Sequence, residues 1–140
     1  MTQIKGLLLI DDDNIFNLIH LKTIEKVMFA ENVKAFEDPA KALDVFRHIV
    51  NSRPDQIPEL IFLDINMPGL DGWEFLDELK GFPDSVFEKC KVIMLSSSID
   101  PNDIERSKNY SMVFDFISKP LTPLKLSALE AKLMCVTENN

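Results

Sequence analysis

Four short apolar runs each end on a polar residue with chemistry to offer, and that recurrence restricts the chain to very few folds. Leu7-Leu8-Leu9-Ile10 stops at Asp11-Asp12, Leu60-Ile61-Phe62-Leu63 at Asp64, and Val92-Ile93-Met94-Leu95 at Ser96. Val113-Phe114-Asp115-Phe116-Ile117 gives way to Ser118-Lys119. The runs are too continuous to alternate and too short for helices, so they read as strands buried on both faces. Parallel strands deliver their C-terminal ends to one edge, where an open α/β sheet holds its ligand. Residues far apart in sequence are therefore expected to meet in one crevice.

The segments between the runs supply the helices. Asp38-Pro39, Asp100-Pro101 and Thr122-Pro123 each place a capping side chain before a proline at the first helical position. Asp103, three residues after Asp100, suggests a capping box. Ala42, Leu43, Phe46, Ile49 and Val50 form an apolar stripe, as do Phe75, Leu76 and Leu79, and Leu126, Leu129 and Leu133. Ile15, Leu18, Ile19, Val27 and Met28 keep a helical stripe after the first strand, and Val33-Lys34-Ala35-Phe36 offers a short second strand. Five strands thus alternate with five helices. Right-handed crossovers make the sheet parallel, and a flavodoxin-like order 2-1-3-4-5 is expected, with the ends of strands 1 and 3 flanking the switch point.

Length and charge narrow the function. The 140 residues are expected to form one domain over 1–140. No apolar stretch approaches the roughly 20 residues that span a bilayer, and Met1-Thr2-Gln3-Ile4-Lys5 lacks a signal peptide's apolar segment. A cytoplasmic protein is expected. The net charge of −8, with no basic stripe, argues against direct nucleic-acid binding. Cys90 and Cys135 have no CxxC spacing and read as reduced thiols. His20 and His48 fall on helices that pack against the sheet, and both read as surface or boundary packing residues.

An aspartate after a strand is ordinarily a turn or a helix cap, a lysine there a solvated cation, and a serine-rich loop simply a loop. Together they say more. Asp11, Asp12 and Asp64 crowd three carboxylates, an arrangement that a hard divalent cation such as Mg²⁺ would relieve. A carboxylate can attack a phosphoryl group once cations neutralise the transferring oxygens, and Lys119 supplies a second cation. Ser96 could donate its hydroxyl to a phosphoryl oxygen, a role for which Ser97 and Ser98 compete. Phe116 reads as core packing on its own.

The strings Leu8-Leu9-Ile10-Asp11-Asp12-Asp13, Phe62 to Gly72 (FLDINMPGLDG), Val92-Ile93-Met94-Leu95-Ser96 and Phe116-Ile117-Ser118-Lys119-Pro120 resemble the receiver domain of two-component response regulators. The likeness covers essentially the whole chain. It implies that Asp64 is the phospho-acceptor, charged from a phosphohistidine on a sensor histidine kinase or phosphotransfer protein. It further implies Mg²⁺ held by Asp12 directly, by Asp11 largely through water, by Asp64, and by the backbone carbonyl of Asn66. Lys119 would pair with the phosphoryl oxygens. Ser96 and Phe116 stand at the switch positions, the hydroxyl moving toward the new phosphate and the ring turning into the vacated space. The resemblance leaves the Lys119-Pro120 bond open between the family's cis form and the usual trans form. Met67-Pro68-Gly69 is expected to shape the loop beside the acceptor, Asp71-Gly72 to start the third helix, and Trp73 to pack on its inner face. The loops Asn51 to Glu59 and Gly81 to Lys91 look longer than is common. Because only one helix's worth of chain follows Lys119, a stand-alone receiver is expected. Its output would pass through helix 4, strand 5 and helix 5 to a downstream protein, or by onward phosphate relay, and it would not be an enzyme in the usual sense.

Two other readings compete. Asp11-x-Asp13 with Ser96 and Lys119 resembles haloacid-dehalogenase-type phosphatases, with Asp11 as nucleophile and Asp13 as acid/base. That reading leaves Asp64 idle and finds no acidic pair after Lys119. The other is an adaptor domain that works without phosphorylation.

Overall fold

Each apolar run divides its side chains alternately between two hydrophobic layers, and this explains why the runs do not themselves alternate in polarity. The computed structural model describes residues 3–138. Met1 and Thr2, part of the start read above as unlike a signal peptide, lie outside them, as do the last two residues of the expected domain. The strands are β1 (Ile4–Ile10), β2 (Ala30–Phe36), β3 (Leu60–Asp64), β4 (Lys91–Ser96) and β5 (Val113–Ser118). All pair in parallel in the order β2-β1-β3-β4-β5, as expected. The helices are α1 (Asn14–Lys26), α2 (Pro39–Ser52), α3 (Gly72–Leu79), α4 (Pro101–Ser107) and α5 (Pro123–Glu138).

Leu8, Ile10, Ile61, Leu63, Val92 and Met94 face α2 and α3, meeting Phe46, Phe75, Leu76 and Trp73. Leu7, Leu9, Leu60, Phe62, Ile93 and Leu95 face the other way onto Ile24 of α1 and Leu126, Leu129 and Leu133 of α5. Burying such a side chain fully contributes about 1.5–3 kcal/mol, so β1, β3 and β4 are fixed in register on both faces, whereas the edge strand β5, read from its sequence as buried on both faces, is mostly half-buried. Trp73 packs inward as expected; the Arg106 guanidinium lies 4.5 Å from its ring and the Tyr110 ring lies tilted beside it at 5.9 Å. Tyr110 also donates to Asp77 at 2.7 Å, tying the segment after α4 to α3.

The proline-marked helix starts are all present. Asp38 accepts from the Ala40 N–H, Asp100 from the Asn102 N–H, and Thr122 from the Lys125 N–H. The expected box at Asp100 and Asp103 is not the reciprocal one. That pairing is made by Asp71 and Glu74 at the start of α3, where the longer glutamate reaches back to the cap N–H. The two long loops hold 3₁₀ turns, Pro54–Gln56 and Asp84–Glu88.

The larger departure is α1. Ile15, Leu18, Ile19, Val27 and Met28 are exposed, and the helix buries Asn17, His20 and Ile24 instead. The inner stripe is i, i+3, i+7 and contains two polar residues, because α1 passes the strand ends, where backbone groups need partners. Met28 closes the helix with φ +52°, in the left-handed region. Among the described residues no helix is long and apolar enough to cross a membrane.

Candidate acidic site at the strand ends

Strand register assembles the site. Ile10 pairs with Leu63, so one further residue along each strand sets Asp11 beside Asp64. Asp64 pairs with Leu95 and Ser96 with Ser118, which carries Ser96 and Lys119 to the same edge. The Lys119 N–H donates to the Ser96 carbonyl at 2.7 Å, fixing the two chain ends together. The Lys119-Pro120 bond is cis.

Asp11, Asp64 and Lys119 are all nearly inaccessible, with side chains 1%, 4% and 7% exposed. The Lys119 Nζ lies 3.0 Å from Asp11 Oδ2 and 3.2 Å from Asp64 Oδ1. Phe16 lies under the amine, its ring centre 4.4 Å away. Asp12 is exposed but brings a carboxylate oxygen within 4.8 Å of those of Asp11 and Asp64. Asp13 does not join them: it caps α1, accepting from the Ile15 and Phe16 N–H groups. Its own N–H donates to Asp11 Oδ1 at 2.9 Å, which aims the Asp11 carboxylate.

Three carboxylates and one amine leave the cluster short of positive charge. Burial first, and the Asp11 charge second, push the Asp64 carboxyl up from 3.8 to about 6, although Lys119 and an Asn66 backbone hydrogen bond pull the other way. Burial alone would lower the Lys119 amine; the hydrogen bond to Asp11 and the charges of Asp64 and Asp11 outweigh it, and the net shift is upward. The donor set is all hard oxygen, partly exposed through Asp12, and carries surplus negative charge. It fits Mg²⁺, which is content with one or two carboxylates, a carbonyl and water. Asp11, Asp12 and Asp64 could hold the ion, with Asn66 alongside.

Ser96 is buried at the end of β4, whereas Ser97 and Ser98 are exposed. Its hydroxyl donates to the Ser98 carbonyl and accepts from the Ser98 N–H, so it is held by its own loop rather than by the acids. Phe116 is half-buried and borders a cavity of about 370 Å³ with Ile104 and Tyr110. The backbone behind Asp64 is tightly packed. A Cβ on Gly72 would stand 2.7 Å from the Asp64 carbonyl oxygen and 2.8 Å from Ile65 Cα, so α3 can start this close to β3 only with glycine.

His20 and Asn17 were not singled out for the site by sequence. His20 is fully buried rather than at a boundary, and its Nε2 accepts the Leu121 N–H at 3.1 Å. Asn17 donates to the Asp11 carbonyl at 2.9 Å and to the Phe36 carbonyl at 3.4 Å. The signal was present: Asn17, His20 and Ile24 share one helical face. His48 is exposed, as is Cys135, while Cys90 is buried; neither thiol is in a disulfide.

The sequence pattern of the Response regulator receiver domain matches residues 7–130. A solved two component response regulator from Cytophaga hutchinsonii is 32% identical, with a TM-score of 0.86 covering 95% of this chain and 98% of that one. Among curated proteins, the probable methanogenesis regulatory protein FilR2 of Methanothrix harundinacea is 26% identical over 83% of this chain and 72% of its own length. Response regulator Rre1 of Synechocystis is 34% identical over 56% of this chain. The chain spans about a third of that relative's length (32%).

Proposed function

Because the chain belongs to the response regulator receiver domain family, we propose that Asp64 accepts a phosphoryl group from a phosphohistidine on a sensor histidine kinase or phosphotransfer protein. The observation that carries this reading is the Lys119 amine shared between Asp11 and Asp64 in one buried site, with a third carboxylate alongside. Receiver domains are generally signalling domains rather than enzymes, and here the phosphoryl group ends on the protein itself.

In the proposed step a carboxylate oxygen of Asp64 forms a bond to phosphorus as the phosphorus–nitrogen bond breaks. The imidazole leaves with that electron pair and then takes up a proton from water. Attack requires ionised Asp64, which prevails above about pH 6 in the metal-free site and which a cation beside it favours further. Lys119 stays cationic and turns from the two carboxylates to the transferred oxygens, where charge builds in the transition state. Mg²⁺ would be held by Asp12, Asp64 and the Asn66 carbonyl, with Asp11 largely through water, and would supply further charge neutralisation during the transfer. The new group brings about −1.5 to −2 charge and three acceptors. That draws the Ser96 hydroxyl away from Ser98, and Phe116 turns inward from the cavity it borders. The α4-β5-α5 face thereby changes shape for a downstream protein or for onward relay. A phosphohistidine donor made with ATP implies a cytoplasmic setting. Asp13, engaged as a helix cap, gives no support to an Asp11-centred phosphatase.

The test is intact-protein mass after incubation with Mg²⁺ and acetyl phosphate. One added phosphoryl group that depends on Mg²⁺ and vanishes in Asp64→Asn is expected. Turnover of a phosphomonoester that needs Asp11 but not Asp64 would overturn the reading, and an unmodified wild type would favour a phosphorylation-independent adaptor.

A further inference from the structure

His20 is a fully buried titratable group that the proposed transfer does not use. We infer that it is a positioning residue: its ring accepts the peptide N–H of Leu121 and so sets the backbone that presents Lys119 to Asp11 and Asp64. This rests on the receiver reading and adds to it a residue on a different element.

The segment from Ser118 to Leu121 is held from three directions. The Lys125 ammonium donates to the carbonyls of Ser118 and Pro120 at 2.9 and 3.0 Å, which fixes the segment from α5. The Lys119 N–H is fixed on β4 by Ser96. On the third side the Leu121 N–H, two residues beyond Lys119, reaches only the His20 ring among the described residues, at 3.1 Å. Leu121 itself is 2% exposed, so water cannot replace that acceptor. An amide N–H left unpaired there would either cost stability or move the chain to find a partner.

The geometry is specific to α1. Phe16, one turn before His20, lies 5.6 Å from the imidazole and 4.4 Å from the Lys119 amine, each measured to its ring centre. Adjacent turns of one helix thus hold Lys119 by its side-chain end and the peptide beyond it by its N–H. Asn17, between them, ties the same helix to the Asp11 carbonyl. The helix couples the acid at the end of β1 to the amine after β5, across 108 residues of sequence. Because Nε2 is the acceptor, the proton sits on Nδ1, which has no hydrogen-bond partner among the described residues. Burial is the main reason that the imidazole stays neutral, with its pKa lowered to about 4, so the acceptor lone pair is present throughout the neutral range.

Glutamine can place a carbonyl oxygen near Nε2, whereas leucine fills the volume with no acceptor. With acetyl phosphate and Mg²⁺, His20→Leu is expected to lower the maximal phosphorylation rate roughly tenfold or more, since small displacements of a reacting constellation are costly. His20→Gln is expected to recover most of that rate, while donor KM changes little in either. Equal rates in wild type and His20→Leu would overturn the inference, as would equal losses in both variants with both still cooperatively folded. Should His20→Leu fail to fold, imidazole ¹⁵N spectra of the wild type decide. A neutral ring protonated at Nδ1, with slow exchange of the Leu121 amide, is expected, and protonation at Nε2 would overturn the assignment. A wild type that takes no phosphoryl group at all sinks the receiver reading instead, and the ¹⁵N spectra still judge the hydrogen bond.

Discussion

Removing the charge of Asp64 should make the metal-free protein more stable, although the change destroys its central side chain. The carboxyl is raised from 3.8 to about 6, chiefly by burial and then by Asp11. The folded state therefore binds the Asp64 proton more tightly than the unfolded chain. The stability this lends is fully present below about pH 3.8 and is lost as pH rises to about 6. Above that, ionised Asp64 costs the fold about 2–3 kcal/mol, at about 1.4 kcal/mol for each pH unit separating the two values. Asparagine approximates the neutral acid, so Asp64→Asn should gain about 2–3 kcal/mol at pH 8 in EDTA, or about 6–12 °C in Tm for a chain of this size. The assay is urea and thermal unfolding of both proteins at pH 8 and pH 4.5, with and without Mg²⁺. The gap should shrink at pH 4.5. It should also narrow in millimolar Mg²⁺, because a ligand of the native wild type stabilises it by mass action. An Asp64→Asn protein less stable than wild type at pH 8 in EDTA, or a gap independent of pH, would refute the account of crowded, buried charge.

Three further outcomes are expected. Gly72→Ala drives a methyl group into the Asp64 carbonyl and Ile65 Cα, both backbone; denaturant unfolding should show a loss of about 2–3 kcal/mol, as for other overpacked sites, together with slower phosphorylation. Met28→Gly relieves the left-handed backbone at an exposed helix end and should raise stability by about 0.5–1 kcal/mol, read as a shift in the urea midpoint. Native protein should titrate one fast thiol with a disulfide reagent, the exposed Cys135, because burial pushes the Cys90 thiol up to about 12; two fast thiols would mean that the layer around Cys90 is open.

Much of the site was legible because strands count residues reliably. A buried strand ends where its apolar run ends, so Asp11, Asp64, Ser96 and Lys119 could be carried to one edge from sequence. The helix starts at Asp38, Asp100 and Thr122 were equally plain, since cap and proline act locally. The first helix was not. Ile15, Leu18 and Ile19 share one side of it, and the usual inference turns that side inward, yet all three face out while Ile24 is buried on the opposite face. What overrides them is the demand of strand-end backbone for partners, met by Asn17 and His20, and that demand exists only once β1, β2 and β5 are assembled. Likewise the space that excludes any side chain at position 72 depends on where α3 lands on β3, which no local pattern encodes.

Trp73 gives the molecule a way of being watched. It is the chain's single tryptophan, it is buried, and its indole carries the guanidinium of Arg106 from α4 on one side and Tyr110 nearby. Indole emission responds to a cation over its face and to an adjacent ring. A displacement of α4 is thus written directly into intrinsic fluorescence, with no label added and no residue of the acidic cluster altered. The optical signal and the mass of the acceptor are then separate clocks, one for the helix and one for the bond to phosphorus. Their difference in time measures how fast chemistry at one end of the sheet becomes shape on its flank.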